Sequence, residues 1–170
     1  MPGSAQKRLD SELESDKMRA QRALSQLLRP GASLRPRGMK VLLVEDDPAD
    51  TQLIQRALQR HPDVSDVATR NAPARALMEI SAGKLRPALI FLDISMPGID
   101  GFQFLEALRK IPTMGEVPVM FLTSSAFVRD VGRAIRSSAR DYIVKPDSFE
   151  ELEMKIDVAI RRAGSDVNGG

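Results

Sequence analysis

The sequence predicts an α/β fold in which a five-stranded parallel sheet carries five helices on its two faces, preceded by an N-terminal amphipathic helix. One observation is the apolar run 89–92, which lacks alternation and ends at Asp93, as in a strand buried on both faces. Pro97 and Gly98 then prevent the strand from continuing. The other observation is that strand and helix patterns alternate five times with short connections, which implies a parallel sheet with right-handed crossovers.

The predicted elements follow one another from Lys40 onward. Apolar runs bounded by turn residues predict strands at 41–44, 64–69, 88–93, 117–123 and 141–144, of which 64–69 is polar enough to be an edge strand. Helical periodicity and caps predict helices at 49–59, from Asn71 and Pro73 to Gly83, at 102–110, at 127–137, and from the cap at Ser148 to Ala163.

Residues 1–38 are predicted to form a separate helical extension with a basic linker, 39–163 the main domain, and 164–170 a disordered tail. A capping box at Ser11 and a leucine-rich seam predict the short helix, which Pro30 ends. A lone helix this short needs a partner. It could pack on the main domain, pair with a second copy in a homodimer, or fray. Because Met39 precedes the first strand, it could be a second start site, and the first residues could be a cloning remnant.

The amino-acid composition argues against several kinds of site and partner. The chain has no cysteine, and we therefore expect a cytoplasmic protein without disulfides or thiolate metal sites. No apolar stretch approaches the length of a membrane span. Residues 1–38 carry eight basic and four acidic residues, so the net charge of +2 conceals a net charge of −2 over residues 39–170. We therefore expect neither DNA nor a membrane as a partner.

Polar residues stand where the predicted central strands end. Glu45 and Asp46 follow the first strand, Asp93 ends the third, Thr123 the fourth, and Lys145 the fifth. The carboxyl ends of parallel strands share one edge, where open α/β sheets bind their ligands. Carboxylates gathered there stay ionised only if a cation offsets their charge, and a set without His or Cys favours Mg²⁺ or a similar hard ion such as Mn²⁺. An Asp beside such an ion, a Lys and a hydroxyl has the parts needed to accept a phosphoryl group.

These residues resemble the receiver domain of bacterial two-component response regulators, over roughly 39–163. The resemblance rests on four motifs in register: Glu45-Asp46, Asp93 with Met96-Pro97-Gly98-Ile99-Asp100-Gly101, Thr123, and Lys145-Pro146. It implies a flavodoxin-like fold with strand order 2-1-3-4-5. The stretch 43–50 is also similar to free-standing receivers that work with phytochrome-type kinases.

The resemblance implies a role for each residue of the motifs. Asp93 would be the phosphoacceptor, and Mg²⁺ or Mn²⁺ would be held by Asp46, Asp93 and the backbone carbonyl of Ser95, with Glu45 acting through water. Lys145 would pair with the phosphoryl oxygens, next to a cis bond to Pro146. The resemblance further makes Thr123 the hydroxyl donor and Tyr142 the aromatic ring that turns inward when Thr123 moves.

The resemblance implies a phosphorylation-dependent signalling switch without an external substrate. A histidine kinase or phosphotransfer protein would supply the phosphoryl group, and an unidentified protein would read the face formed by the helix 127–137, the fifth strand and the last helix. No DNA-binding output domain is expected after Ala163. One alternative is a dimerising adaptor with little dependence on phosphorylation. Another is an Asp-nucleophile, Mg²⁺-dependent phosphatase, which would want a second Asp where Ser95 stands.

Several other charged residues are explained by structural roles outside the predicted phosphoryl site. Asp47 before Pro48 and Asp100 before Gly101 are predicted helix caps. His61 is the one histidine in the sequence and stands at a helix end, so the phosphate must come from another molecule. A basic stripe is typical of a solvated or protein-docking helix face; it comprises Arg129, Arg133, Arg136 and Arg140.

Overall fold

The computed structural model describes residues 38–124 and 138–165. The strands are Met39–Val44 (β1), Val64–Arg70 (β2), Leu89–Asp93 (β3), Val119–Thr123 (β4) and Asp141–Val144 (β5). The helices are Pro48–Arg60 (α1), Pro73–Ser81 (α2), Gly101–Arg109 (α3) and Phe149–Ser165 (α4), with a 3-10 turn at Pro112–Met114. The helices predicted within 1–38 and at 127–137 lie outside the described residues.

The five strands form one parallel sheet in the order β2-β1-β3-β4-β5, which confirms the predicted fold class and strand order. β2 lies at an edge, in keeping with its polar sequence. Strand β4 begins two residues later than predicted. Val117 donates its N–H to Met114 in the preceding turn, and Pro118 has no N–H to donate.

The core divides into two layers because successive side chains of a strand point to opposite faces of the sheet. In β3, Leu89 and Phe91 pack with the apolar faces of α1 and α4, whereas Ile90 and Leu92 pack with those of α2 and α3. All four of these residues are fully buried. The described helices therefore cover both faces of the sheet, as predicted.

Local signals place the starts of three helices. Asp47 accepts the N–H of Asp50 and caps α1, and Asp100 forms a full capping box with Gln103 at the start of α3. Ser148 accepts the N–H of Glu151 at the start of α4. Helix α4 runs to Ser165, two residues past its predicted end. Among the described residues, no helix has both the length and the apolar character needed to cross a membrane.

Candidate functional site

The carboxyl ends of four strands bring the predicted residues to one edge of the sheet. Glu45 directly follows β1, and Asp93 is the last residue of β3. Thr123 is the last residue of β4, and Lys145 directly follows β5. Because all the strands are parallel, these four positions share one edge, as the sequence predicted.

An acidic cluster lies at this edge. Glu45, Asp46 and Asp93 each place a carboxylate oxygen within 4.8 Å of the others. Glu45 and Asp93 are buried, whereas Asp46 is partly exposed and leaves the cluster open to solvent on one side. The donor set consists of hard carboxylate oxygens without His or Cys, and such a set fits Mg²⁺ or Mn²⁺.

The ammonium group of Lys145 is surrounded by three acids. Its Nζ lies 2.6 Å from Glu45 Oε2, 2.7 Å from Asp50 Oδ2 and 3.1 Å from Asp93 Oδ1. The Lys145 side chain is 11% exposed and that of Glu45 is 2% exposed, so this contact is shielded from water. Lys145 therefore already neutralises part of the cluster without a metal ion.

Burial and charge shift two pKa values in this cluster. Burial raises the pKa of Glu45 and the charge of Asp93 adds to the rise, although the hydrogen bond from Lys145 opposes it. Burial alone would lower the pKa of Lys145, but its hydrogen bonds to Asp50 and Glu45 and the charge of Asp93 outweigh this effect and raise the pKa. Lys145 therefore remains a cation throughout the neutral range.

The loop after β3 packs directly against the Asp93 backbone. Gly98 has φ +79°, a conformation that favours glycine, and Gly101 donates its N–H to Ile94 over 3.0 Å. A Cβ on Gly101 would lie 2.5 Å from the carbonyl oxygen of Asp93, so only glycine fits there. The Ser95 N–H donates to Asp93 Oδ2 over 2.8 Å. The loop thus holds the Asp93 carboxylate in one orientation.

Thr123 and Tyr142 lie on the neighbouring strands β4 and β5. Thr123 is fully buried, and its carbonyl accepts the N–H of Lys145 over 2.8 Å. Tyr142 is half-buried and packs against the core layer that contains α2 and α3. Their predicted roles in switching stay predictions, as does the role of the Ser95 carbonyl.

The implied cis bond before Pro146 is wrong for this structure. The peptide bonds of the described residues are all trans, and the Lys145–Pro146 bond is among them. The trans form is the lower-energy isomer of an X–Pro bond. With this bond trans, the Lys145 ammonium reaches all three of its acids.

The sequence interpretation missed Asp50. This residue lies in the first turn of α1, and its carboxylate holds Lys145 as closely as Glu45 does. A signal was present, because a helix that follows a strand begins at the edge where the strand ends. An acid in its first turn is therefore a candidate for that edge. Of the predicted basic stripe, Arg129, Arg133 and Arg136 lie outside the described residues.

Comparison with known proteins agrees with this geometry. Residues 41–157 match the response regulator receiver domain family. The transcriptional regulatory protein HprR of Escherichia coli is 37% identical over 124 residues, which are 73% of this chain and 52% of HprR. The chain spans about half the length of the curated relatives it matches first.

Two solved structures of phytochrome response regulators are also similar. The phosphorylated cyanobacterial regulator RcpA aligns with a TM-score of 0.64 and 29% identity over 71% of this chain and 90% of its own. The Mn²⁺-bound form of Rcp1 aligns with a TM-score of 0.63 and 25% identity over the same shares, 71% and 90%. Both are in keeping with the likeness of 43–50 to phytochrome-associated receivers. The family match, the sheet order and the acidic edge show that this chain belongs to the response regulator receiver domain family.

Proposed function

We propose that this receiver accepts a phosphoryl group on Asp93 in a reaction that depends on Mg²⁺ or Mn²⁺. The observation that carries the proposal is the acidic cluster with one ammonium group against it. Asp93 lies 3.1 Å from Lys145 and within 4.8 Å of Glu45 and Asp46. Receiver domains are signalling switches of two-component systems, for which phosphoryl-aspartate and Mg²⁺ are characteristic.

Each residue of the cluster would contribute separately to phosphoryl transfer. Asp46, Asp93 and the Ser95 carbonyl would hold the divalent ion, with Glu45 acting through a water molecule. The ion would supply charge neutralisation for the phosphoryl oxygens. An Asp93 carboxylate oxygen attacks phosphorus, the bond from phosphorus to the donor breaks, and Lys145 balances charge on the transferred group.

The donor is a phosphohistidine of a histidine kinase or phosphotransfer protein, or a small acyl phosphate. His61 does not serve this role, because its side chain is only 5% exposed. Its Nε2 lies 3.1 Å from Asp157 Oδ1, and its Nδ1 accepts the N–H of Asp63. Since both ring nitrogens are engaged, the phosphate source is another molecule.

Phosphorylation would then change which proteins bind the receiver. The added charge would draw the Thr123 hydroxyl and the Lys145 ammonium towards the phosphoryl group. Tyr142 would turn inward in response, and the surface that includes β5 and α4 would change its shape. This surface would carry the contact with a downstream protein.

The proposal is tested by incubating the protein with Mg²⁺ and acetyl phosphate and measuring its intact mass. We expect one phosphoryl adduct in the wild type and none in Asp93→Asn. Asp100→Asn is the matched control, since it makes the same change in the neighbouring loop and keeps a residue that caps α3. An unmodified wild type, or an equal adduct in Asp93→Asn, would reject the proposal.

A further inference from the structure

Asp50 binds Lys145 but does not belong to the acidic cluster of Glu45, Asp46 and Asp93. Its Oδ2 lies 2.7 Å from Lys145 Nζ, against 3.1 Å for Asp93 Oδ1. The Asp50 side chain is 36% exposed, whereas Asp93 is 5% exposed, so Asp50 marks the solvent side of the ammonium group. In the described part of the chain, no ion pair within 4.0 Å joins Lys145 to Asp46.

Lys145 and a divalent ion would both be attracted to the carboxylates of Glu45 and Asp93. The ammonium group has three donors and faces three acids, of which Glu45 and Asp93 also belong to the acidic cluster. Every contact that Lys145 makes with these two acids offsets charge that would otherwise attract the ion. A carboxylate outside the cluster that holds Lys145 would therefore leave the cluster more available.

We propose that Asp50 is a positioning residue that keeps the Lys145 ammonium at the rim of the acidic cluster, so that Glu45, Asp46 and Asp93 remain available to a divalent cation. The inference rests on the proposed function, because it concerns the same site. Without the Asp50 charge, Lys145 would bind Glu45 and Asp93 more strongly. The divalent ion would then have to displace a more tightly held ammonium group, and its affinity for the cluster would fall.

Asp47 provides a matched control. It lies three residues from Asp50 and accepts the Asp50 N–H, it is exposed, and the structure gives it no ion pair with Lys145. Its side chain caps α1, a role that Asn fills equally well. Asp47→Asn and Asp50→Asn thus remove the same charge from neighbouring positions, but only Asp50→Asn removes a contact with Lys145.

The test is calorimetric titration of the purified full chain with Mg²⁺ alone. We expect Asp50→Asn to raise the Mg²⁺ dissociation constant about fivefold, as for the loss of a partly exposed ion pair. Asp47→Asn should raise it less than about twofold, as for the loss of an isolated surface charge. In a Lys145→Met background, the effect of Asp50→Asn should fall to that of Asp47→Asn, because the competing cation is gone. If Lys145→Met does not fold, Lys145→Gln takes its place.

Three results would overturn the inference. They are equal effects of Asp50→Asn and Asp47→Asn, an effect of Asp50→Asn that persists without Lys145, and a wild type that binds no Mg²⁺. The proposed function is judged separately by the mass of the acetyl phosphate adduct. If the phosphoryl adduct forms but Asp50→Asn and Asp47→Asn weaken Mg²⁺ binding equally, the inference is rejected and the proposed function stands. If no adduct forms but the Mg²⁺ titrations give the expected dissociation constants, phosphoryl transfer is rejected and the role of Asp50 is retained.

Discussion

Lys145 and Glu45 form an ion pair across the carboxyl edge of the sheet, with 2.6 Å between Nζ and Oε2. The two residues follow β5 and β1, which are separated in the sheet by β3 and β4. The side chain of Lys145 therefore spans the ends of two strands, and Asp93 at the end of β3 lies beside its ammonium group. This arrangement makes one cation the partner of acids contributed by distant parts of the chain.

Lys145→Met should destabilise the protein when no divalent ion is present. Glu45 and Asp93 would remain buried without their cation, and we expect the free energy of unfolding to fall by about 3 kcal/mol, as for other broken buried pairs. Mg²⁺ should restore more stability to this variant than to the wild type, because it replaces the lost positive charge.

Urea unfolding in chelator and in Mg²⁺ measures both effects. Lys110→Met is the control, because Lys110 pairs with Glu106 at a fully solvated site where both side chains are 74% exposed. We expect its effect to stay within about 0.5 kcal/mol. Equal losses in the two variants would show that the buried pair contributes no more than a surface pair.

Gly101→Ala should destabilise the loop that orients Asp93. The added Cβ would lie 2.5 Å from the Asp93 carbonyl oxygen and 2.9 Å from Ile94 Cα, and both are backbone atoms that cannot rotate away. We expect a loss of about 2 kcal/mol in the free energy of unfolding, together with weaker Mg²⁺ binding. Gly115→Ala is the control, since its nearest contact is 3.9 Å away at helical φ and ψ. A wild-type melting temperature for Gly101→Ala would contradict this packing argument.

Much of the fold and the position of the acidic edge follow from local sequence. The apolar run before Asp93 is β3, and the predicted caps Asp47, Asp100 and Ser148 each begin a helix. These features depend on residues within one turn or one strand. The parallel order then brings Glu45 and Lys145 to the same edge without any further signal.

The features that sequence could not supply depend on contacts between distant residues. The place of Asp50 in the first turn of α1 marks it as a candidate for the acidic edge, but its partner Lys145 lies 95 residues later in the chain, and no local pattern joins the two. His61 was interpreted as a helix-end residue, but it is also buried against Asp157 of α4, nearly one hundred residues later in the chain. The isomer of the bond before Pro146 likewise depends on its surroundings, since the two forms differ by about 0.5–1 kcal/mol.

Arg109→Lys should destabilise the region just before β4, at the opposite end of the strands from the acidic cluster. The guanidinium of Arg109 donates to the carbonyls of Met114 and Val117 over 2.8 Å each, and to both oxygens of Ser138 over 3.0 and 3.1 Å. A lysine ammonium cannot reproduce this planar set of donors, so we expect a loss of about 2 kcal/mol in the free energy of unfolding.

Arg161→Lys provides the comparison for Arg109→Lys. Arg161 is 65% exposed and pairs with Asp157 one turn away, so its replacement should change stability by less than about 0.5 kcal/mol. Thermal melts of both variants measure the difference. If Arg109→Lys has the melting temperature of the wild type, then the hydrogen bonds of Arg109 do not contribute to stability.

Glu79→Gln should destabilise the protein at neutral pH and have progressively less effect as the solution becomes acidic. Hydrogen bonds from Arg70, and then from Arg75, lower the pKa of Glu79 from its ordinary value of 4.5. A carboxyl group with a lowered folded-state pKa contributes stability above its unfolded pKa. This contribution is lost as the pH falls through the folded-state pKa.

The difference in unfolding free energy between Glu79→Gln and the wild type should therefore be constant from about pH 7 to pH 5.5 and shrink below 4.5. Urea unfolding across this range in chelator measures it without interference from metal binding. Glu106→Gln serves as the control, because its partner Lys110 and its own side chain are both largely exposed. A difference that stays the same down to the lowest pH at which the protein folds would show that Arg70 and Arg75 do not favour the charged form of Glu79.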